Sequence, residues 1–385
     1  MKNIVSFLGW CALLCTFGCT PAKYIYKTPT QHSQGLETAT PEQVGLQRKY
    51  FVDMVNAIRK GQFKNIHSVL VLKNNKLILE SYYRGYTAKT RHDLRSTTKS
   101  ITSLLVGKAI EKGYIKDVNE PIDTFLPEYQ ALFRKMPAKR KIQVKHFLNM
   151  SGGLDCNDWN PRSPGHEDKM YRTSDWLHFL LKQKVKRPPG KRFAYCTGGV
   201  VALGAFIAAK AKQSIPEFAK KHLFGPMGIV DAQWQKTPKG RTDTGGHLWL
   251  RPRDMAKIGI LVLNEGVWKG KRLIAKSWIK AIQKNHIKPP IPARVGYGYL
   301  WWKRVGKNQK TGKLLHILHT SGNGGQYIFI MPSIKMVVVF TGGNYNSPLM
   351  RQPYAIMAKY ILRAQFAPKN AKSPSPSISQ KADKK

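Results

Sequence analysis

Strand-forming segments stand at both ends of this chain and helix-forming segments fill its middle, which restricts the fold to one antiparallel sheet carrying helices, with a helical insertion between its parts. At the N-terminal end, Ser68–Leu72 and Lys76–Tyr83 flank Asn74-Asn75, residues that tolerate the positive φ of a tight hairpin. Toward the C-terminus, strand signals return at Gly298–Trp302, Leu314–Leu318, Tyr327–Met331 and Met336–Phe340. Leu46, Tyr50, Phe51, Met54, Val55 and Ile58 recur at helical spacing between Pro41 and Lys60, and a helix from about Met350 to Phe366 closes the fold. The pattern from Ser96 to about Gly225 is mostly helical, so a helical insertion is expected over about 100–250. The expected class is α+β, an α/β sandwich, over residues 41–366. No internal repeat is visible. Residues 367–385 hold Ser-Pro-Ser-Pro and five Lys without periodicity and read as a disordered tail.

The first 18 residues place one Lys before an apolar stretch, Ile4 to Leu14, too short for a comfortable membrane span and suited to a secretory signal peptide. Thr16-Phe17-Gly18-Cys19 resembles a bacterial lipobox, which makes Cys19 a candidate for lipidation and residues 19–40 a tether. Cleavage to a free protein and retention as an uncleaved anchor are the alternatives. An exported, envelope-attached protein with its domain in the periplasm or outside the cell is the expectation. Among 385 residues, 65 Lys and Arg face 21 Asp and Glu, a net charge of +44, and loss of the signal would remove only Lys2. Lys and Arg are spread along the whole chain and no zinc-finger spacing occurs, so nucleic acid is an unlikely partner. Anionic lipid headgroups or cell-wall polymers fit an exported protein better, and a merely solvated basic surface fits as well. With Cys19 acylated and the signal removed, Cys156 and Cys196 remain, either bridged or as two small buried thiols.

Chemistry concentrates at Ser96-Thr97-Thr98-Lys99, immediately before the apolar run Ile101, Leu104, Leu105, Val106, Ala109 and Ile110. Positions i and i+3 share a helix face, so Lys99 Nζ can reach Ser96 Oγ. Apolar surroundings would lower the Lys pKa and let a neutral amine take the Ser proton, while the helix N-terminus favours developing negative charge. Ser277-Trp278-Ile279-Lys280 has the same spacing but a mixed context, that of an ordinary surface helix. No Gly-x-Ser-x-Gly elbow, His-Glu-x-x-His cluster or Gly-x-x-x-x-Gly-Lys-Ser/Thr loop occurs, and His316 and His319 fall on opposite faces of a strand. Neither a metal nor an organic cofactor is called for.

In this context the chain resembles the serine β-lactamase and penicillin-binding-protein-like hydrolases, in their class C β-lactamase/esterase branch, from about Ala39 to Phe366. The resemblance rests on Asp93-Leu94-Arg95-Ser96-Thr97-Thr98-Lys99-Ser100, Phe147-Leu148-Asn149-Met150-Ser151-Gly152-Gly153-Leu154, Pro189-Gly190 and Tyr195-Cys196-Thr197-Gly198-Gly199. Further matches are Gly245-Gly246-His247-Leu248, Arg253-Asp254-Met255-Ala256, Tyr297–Trp302 and Ser321-Gly322-Asn323-Gly324-Gly325-Gln326.

It implies Ser96 as acylated nucleophile, Lys99 as its base, and Tyr195 as proton shuttle, held partly as phenolate by the neighbouring ammonium. The oxyanion hole would combine the Ser96 N–H with one near Gly322, Asn323 and Gly324. Thr197 stands where the family often has Asn, and Thr320-Ser321-Gly322 replaces its Lys-Thr-Gly, leaving His319 as either a substitute donor or a merely structural strand histidine. Trp159, Trp301 and Trp302 sit in segments the family places around the cleft, and one of the adjacent Trp pair must face the core. The function expected is hydrolysis of a small ester or amide through an acyl-enzyme. The alternatives are a D-Ala wall peptidase or β-lactamase, and a non-catalytic basic module binding the envelope.

Overall fold

The computed structural model describes residues 23–30, 35–291, 295–307, 312, 314–368 and 371. The expected signal peptide, Cys19 and nearly all of the 367–385 tail lie outside the described residues. Strands β1 (Ile66–Lys73) and β2 (Lys76–Tyr82) form a hairpin across Asn74 and Asn75, whose φ angles are 51° and 64°, as a two-residue turn between right-twisted strands requires. Three short strands, β3 (His92–Asp93), β4 (Gln233–Trp234) and β5 (Leu248–Leu250), pair in the order β3-β5-β4. The region read as a helical insertion therefore carries two strands of a small sheet as well, β4 and β5. A further hairpin joins β6 (Val267–Trp268) to β7 (Lys271–Arg272).

The main sheet is completed by β8 (Val295–Gly298), β9 (Trp301–Lys307), β10 (Leu314–His319), β11 (Tyr327–Met331) and β12 (Met336–Gly342). Its seven strands run antiparallel in the order β2-β1-β12-β11-β10-β9-β8. The segment Gly298–Trp302, expected as one strand, is a hairpin turn: Tyr299 and Leu300 adopt φ of 47° and 68°. Tertiary contacts override the local β preference here. Leu300 N–H donates to Leu148 O (2.8 Å), Tyr299 N–H to Asn149 Oδ1 (3.2 Å), and Leu300 O accepts from Ser100 Oγ (2.6 Å).

Side-chain alternation divides the core in two. Leu70, Leu72, Ile328, Ile330, Val337 and Val339 face one layer, which contains the helices Thr97–Glu111 and Pro252–Leu263. Val69, Val71, Phe329, Met331, Val338 and Phe340 face the other, built from the helix Arg48–Arg59 and the C-terminal helical segment through Phe366. Strands covered on both faces read as continuous apolar runs, which explains β1, β11 and β12. Helix Pro252–Leu263 lies flush on the sheet because Gly259 has no side chain; a Cβ there would stand 2.4 Å from Val337 Cγ1.

The part of 19–40 that is described does not stand off as a tether. Tyr24 N–H donates to Asn56 Oδ1 (2.8 Å), Tyr26 OH to Ile78 O (2.5 Å), and Leu36 and Ala39 are buried. Leu77 N–H donates to Glu37 O (2.8 Å) and Ala39 N–H to Leu77 O (3.2 Å), so this segment satisfies backbone groups on the outer edge of β2. Arg253 fastens it: its guanidinium donates to Thr30 O (3.1 Å) and forks onto the Glu80 carboxylate of β2, with both side chains buried. Replacing Arg253 by Leu leaves Glu80 without its cation, and a loss of about 3–5 kcal/mol is expected; a chemical-denaturation midpoint equal to that of the parent would contradict it.

Candidate active site

Arg95 adopts a left-handed φ of 48°, which turns the chain sharply before Ser96, and Asp93 Oδ1 accepts the Arg95 N–H at 2.9 Å to hold that turn. Ser96 then stands at the N-cap position of the helix Thr97–Glu111 without making a side-chain capping bond, and that helix, buried from Thr97 through Ala109, forms a fixed post in the core. One turn on, Lys99 is 2% exposed, and its Nζ donates to Ser96 Oγ at 3.0 Å and to Gly245 O at 2.5 Å. The Tyr195 ring lies beside it, its centroid 5.2 Å from Nζ. The structure therefore brings together Ser96 and Lys99, paired by their spacing in the sequence, and Tyr195, which the resemblance implied. Ser277 and Lys280, by contrast, lie in a short surface helix, Lys276–Gln283, whose buried residues are Trp278, Ile279 and Ile282.

Tyr195 is held from both sides. Cys156 and Cys196 form a disulfide with a Cα–Cα distance of 5.5 Å, which ties the loop after Gly153 to the Tyr195 segment. Asp158 N–H donates to Tyr195 O (2.7 Å) and Ala194 N–H to Met150 O (2.7 Å). On the same loop, Trp159 is 45% exposed and stacks on Tyr195 (5.5 Å, 9°) and on Trp302 (6.2 Å, 16°), while Trp301 is fully buried. These rings form an aromatic wall at the entrance to the centre.

Three carboxylates act on Lys99 through their charge, and nothing in their sequence positions singled them out. Asp158 Oδ2 accepts the Thr197 N–H (2.6 Å) and Oδ1 the Glu167 N–H (2.9 Å). Glu167 Oε2 accepts the hydroxyls of Thr197 (2.6 Å) and Tyr171 (3.2 Å). Asp243 is buried and accepts the N–H groups of Gly245 (2.9 Å) and Gly246 (3.0 Å) and His247 Nδ1–H (2.8 Å). Arg95 can only donate, so His247 Nε2 accepts from it at 2.8 Å.

This changes the protonation expected of the centre. Burial pushes the Lys99 pKa down, but the charges of Tyr195, Glu167, Asp158 and Asp243 outweigh burial and raise it. Burial raises the Tyr195 pKa, against the opposing pull of Lys99 and a hydrogen bond with Ser96. Both pKa values are held above their ordinary range, where the sequence suggested a lowered amine and a partial phenolate.

The expected substrate-binding groups divide. Thr97 Oγ1 donates to Thr320 Oγ1 and shares Gln326 O, both at 3.0 Å, so the loop Ser321–Gly325 is fixed beside Ser96. Gly322 N–H is committed to Gln326 O (2.8 Å), and the Asn323 amide is paired with Asn346 (2.7 and 2.8 Å). Ser321 stays partly exposed, and Gly324 takes a φ of 91° against the Tyr345 ring. The Ser96 N–H has no partner among the described residues. Thr197 is fully buried on Asp158 and Glu167, which removes it from substrate contact.

His319 is buried too, its Nδ1–H donating to Thr320 O (3.0 Å) among the rings of Tyr327, Phe329 and Tyr354. Burial pushes its pKa down to about 3, so it is a neutral packing residue and supplies no cation to the site. Among the described residues no cluster of three His, Cys, Asp or Glu is arranged to hold a metal ion.

The beta-lactamase family model matches residues 62–358, and the chain belongs to that family of hydrolases. It is 23% identical over 231 residues to the 6-aminohexanoate-dimer hydrolase of Paenarthrobacter ureafaciens, a match spanning 55% of this chain and 56% of that protein. Among solved structures it resembles EstCE1, a hydrolase with promiscuous acyltransferase activity (TM-score 0.66, 15% identity, 83% of this chain and 98% of that one). It also resembles the octameric penicillin-binding protein homologue from Pyrococcus abyssi (TM-score 0.61, 21% identity, 82% and 76%) and a D-stereospecific amidohydrolase from Streptomyces (TM-score 0.58, 16% identity, 78% and 93%).

The loop beside Ser96 depends on Gly322, where an added Cβ would stand 2.3 Å from Leu94 O. Backbone cannot yield as a side-chain tip does, so Gly322→Ala should destabilise the fold by about 1–3 kcal/mol and displace the loop; a melting temperature equal to the parent's would refute that close approach.

Proposed function

We propose that this protein is a serine hydrolase that opens an ester or amide through an acyl-enzyme on Ser96, with Lys99 and Tyr195 as its proton-transfer groups. The observation that carries the reading is the 3.0 Å contact from buried Lys99 Nζ to Ser96 Oγ with Tyr195 alongside. Loss of one proton from the Lys99–Tyr195 pair creates the acceptor for the Ser96 hydroxyl proton, and Oγ attacks the substrate carbonyl. The oxyanion forms beside the open Ser96 N–H. Tyr195 returns a proton to the departing oxygen or nitrogen, and water repeats the sequence to release the acid and restore Ser96.

The substrate reading follows from the walls. Trp159 and Trp302 offer a flat apolar surface beside Tyr195, suited to an apolar acyl or leaving group. With His319 neutral and buried, β10 supplies no cation for a substrate carboxylate, which favours neutral esters and amides over β-lactams and D-Ala wall peptides. The names of the 6-aminohexanoate-dimer hydrolase and the D-stereospecific amidohydrolase support amides beside esters. We also infer export and attachment at Cys19, supported by the N-terminal apolar stretch and by a Cys156–Cys196 bridge suited to an oxidising compartment, with anionic envelope surfaces as the counterpart of the basic chain.

Intact-mass spectrometry after exposure to a fluorophosphonate should show one adduct, absent in Ser96→Ala; an adduct persisting in that variant would move the nucleophile elsewhere. Penicillin should leave no lasting adduct, and a stable one would turn the reading toward wall peptides. Tyr195→Phe should slow ester turnover by about 10²-fold or more, as loss of a general acid–base group does. Because the Lys99 and Tyr195 pKa values are both raised, labelling should accelerate with pH from about 6 to 9, by up to about tenfold per unit. A flat profile would mean that neither group has to lose its proton.

A further inference from the structure

We propose that Asp158 and Glu167 are positioning residues for this reaction: clamped on the two polar groups of Thr197, they place negative charge at the Lys99–Tyr195 pair and thereby set the pH at which Ser96 becomes reactive. The proposal rests on the assignment of Ser96, Lys99 and Tyr195 above.

The chain has only 21 acidic residues against 65 basic ones, yet Asp158 and Glu167 close on Thr197, two residues from Tyr195, and Asp243 accepts the N–H of Gly245, the residue whose carbonyl accepts from Lys99. The groups facing Lys99 come from every element packed around it. They are Tyr195 before the helix Thr197–Ala211, Asp158 on the disulfide-pinned loop, Glu167 with Tyr171 on the short helix Glu167–Tyr171, and Asp243 with His247 before β5; Arg95 lies on the nucleophile's own turn. Asp243 already has its compensation, two backbone N–H groups and the His247–Arg95 pair. Asp158 and Glu167 form no salt bridge with any described Lys or Arg, and their own hydrogen bonds come from neutral donors. Lys99, beside Tyr195 and bonded to Gly245 O, is the cation on which their charge acts.

The bonding also fixes where these charges sit. Asp158 supplies the cap that Cys196, held in the disulfide, does not give the helix Thr197–Ala211, and the positive end of that helix favours its carboxylate. Burial and the Glu167 charge nonetheless raise the Asp158 pKa to about 6, while Thr197 and Lys99 oppose them. Negative charge beside Lys99 and Tyr195 makes loss of the shared proton harder, so removing one carboxylate should make the reactive form appear at lower pH. The sign is opposite to that of ordinary active-site damage, which lowers the rate at every pH.

Glu167→Gln is the decisive variant because the amide oxygen still accepts from Thr197 and Tyr171, and only the charge is lost. The rate of fluorophosphonate labelling of Ser96 in the full chain is measured across pH for the wild type, Glu167→Gln, Asp158→Asn and Asp168→Asn, with melting temperatures in parallel. Asp168 is an exposed acid on the same helix and controls for net charge. The midpoint of the alkaline rise should move to lower pH by about one unit in Glu167→Gln, in the same direction in Asp158→Asn, and not in Asp168→Asn. If Glu167→Gln does not fold, Asp158→Asn carries the test. Midpoints in folded acid-site variants that coincide with the wild type, or an equal shift in Asp168→Asn, overturn the proposal while leaving Ser96 as nucleophile. A wild-type chain that takes no label at Ser96 overturns the serine-hydrolase reading itself, and this inference with it.

Discussion

Antiparallel pairing of β1 with β12 is the constraint on which the rest depends. It matches Val69 to Phe340, Val71 to Val338 and Lys73 to Met336, residues from opposite ends of the chain. The chain between β2 and β8 must leave the sheet and return to it, so the inserted helices and the small β3-β5-β4 sheet are held as one closed excursion. The entropy of closing so long a loop grows only slowly with its length, and two apolar faces meeting at β1 and β12 offset it. Because the returning strands are β8 to β12, the loop between β10 and β11 is delivered to the start of the helix Thr97–Glu111, where Thr97 fastens it.

The centre built there is polar within an apolar surround. Lys99 is tolerated at the heart of the molecule because a hydroxyl and a carbonyl accept its hydrogen bonds and three carboxylates balance its charge. Desolvation alone would have neutralised the amine, which is what the apolar sequence around it suggested. Low local dielectric strengthens the attraction as well as the penalty, and here attraction prevails. In a chain so rich in cations, the acidic surroundings of this one lysine mark the site more sharply than its hydrophobic neighbours do.

The disulfide has consequences beyond bracing. It pins a loop that brings Asp158 to Thr197 and Trp159 onto Tyr195 in successive residues, so one covalent tie orders an electrostatic element and a wall of the cleft together. The same loop explains why Thr197 is not a substrate contact. Its hydroxyl and its N–H are both taken by carboxylates, and neither is left for a ligand.

Features governed by near neighbours along the chain are legible in the amino-acid sequence itself. Ser96 and Lys99 lie one turn apart on a helix, the Asn74-Asn75 turn is local, and alternation within β11 and β12 reports two buried faces because side chains alternate along a strand. Tyr195 is legible through a resemblance carried by several ordered motifs. Tertiary structure alone decided the remainder: that Asp158, Glu167 and Asp243 converge on Lys99, that His319 faces aromatic rings, that Tyr299 and Leu300 turn instead of extending, and that the segment before residue 40 covers the edge of β2. The physical reason is common to all four. Each depends on which group from a distant part of the chain occupies the adjoining space, and a hydrogen bond or a charge acts through space with no regard for separation along the sequence.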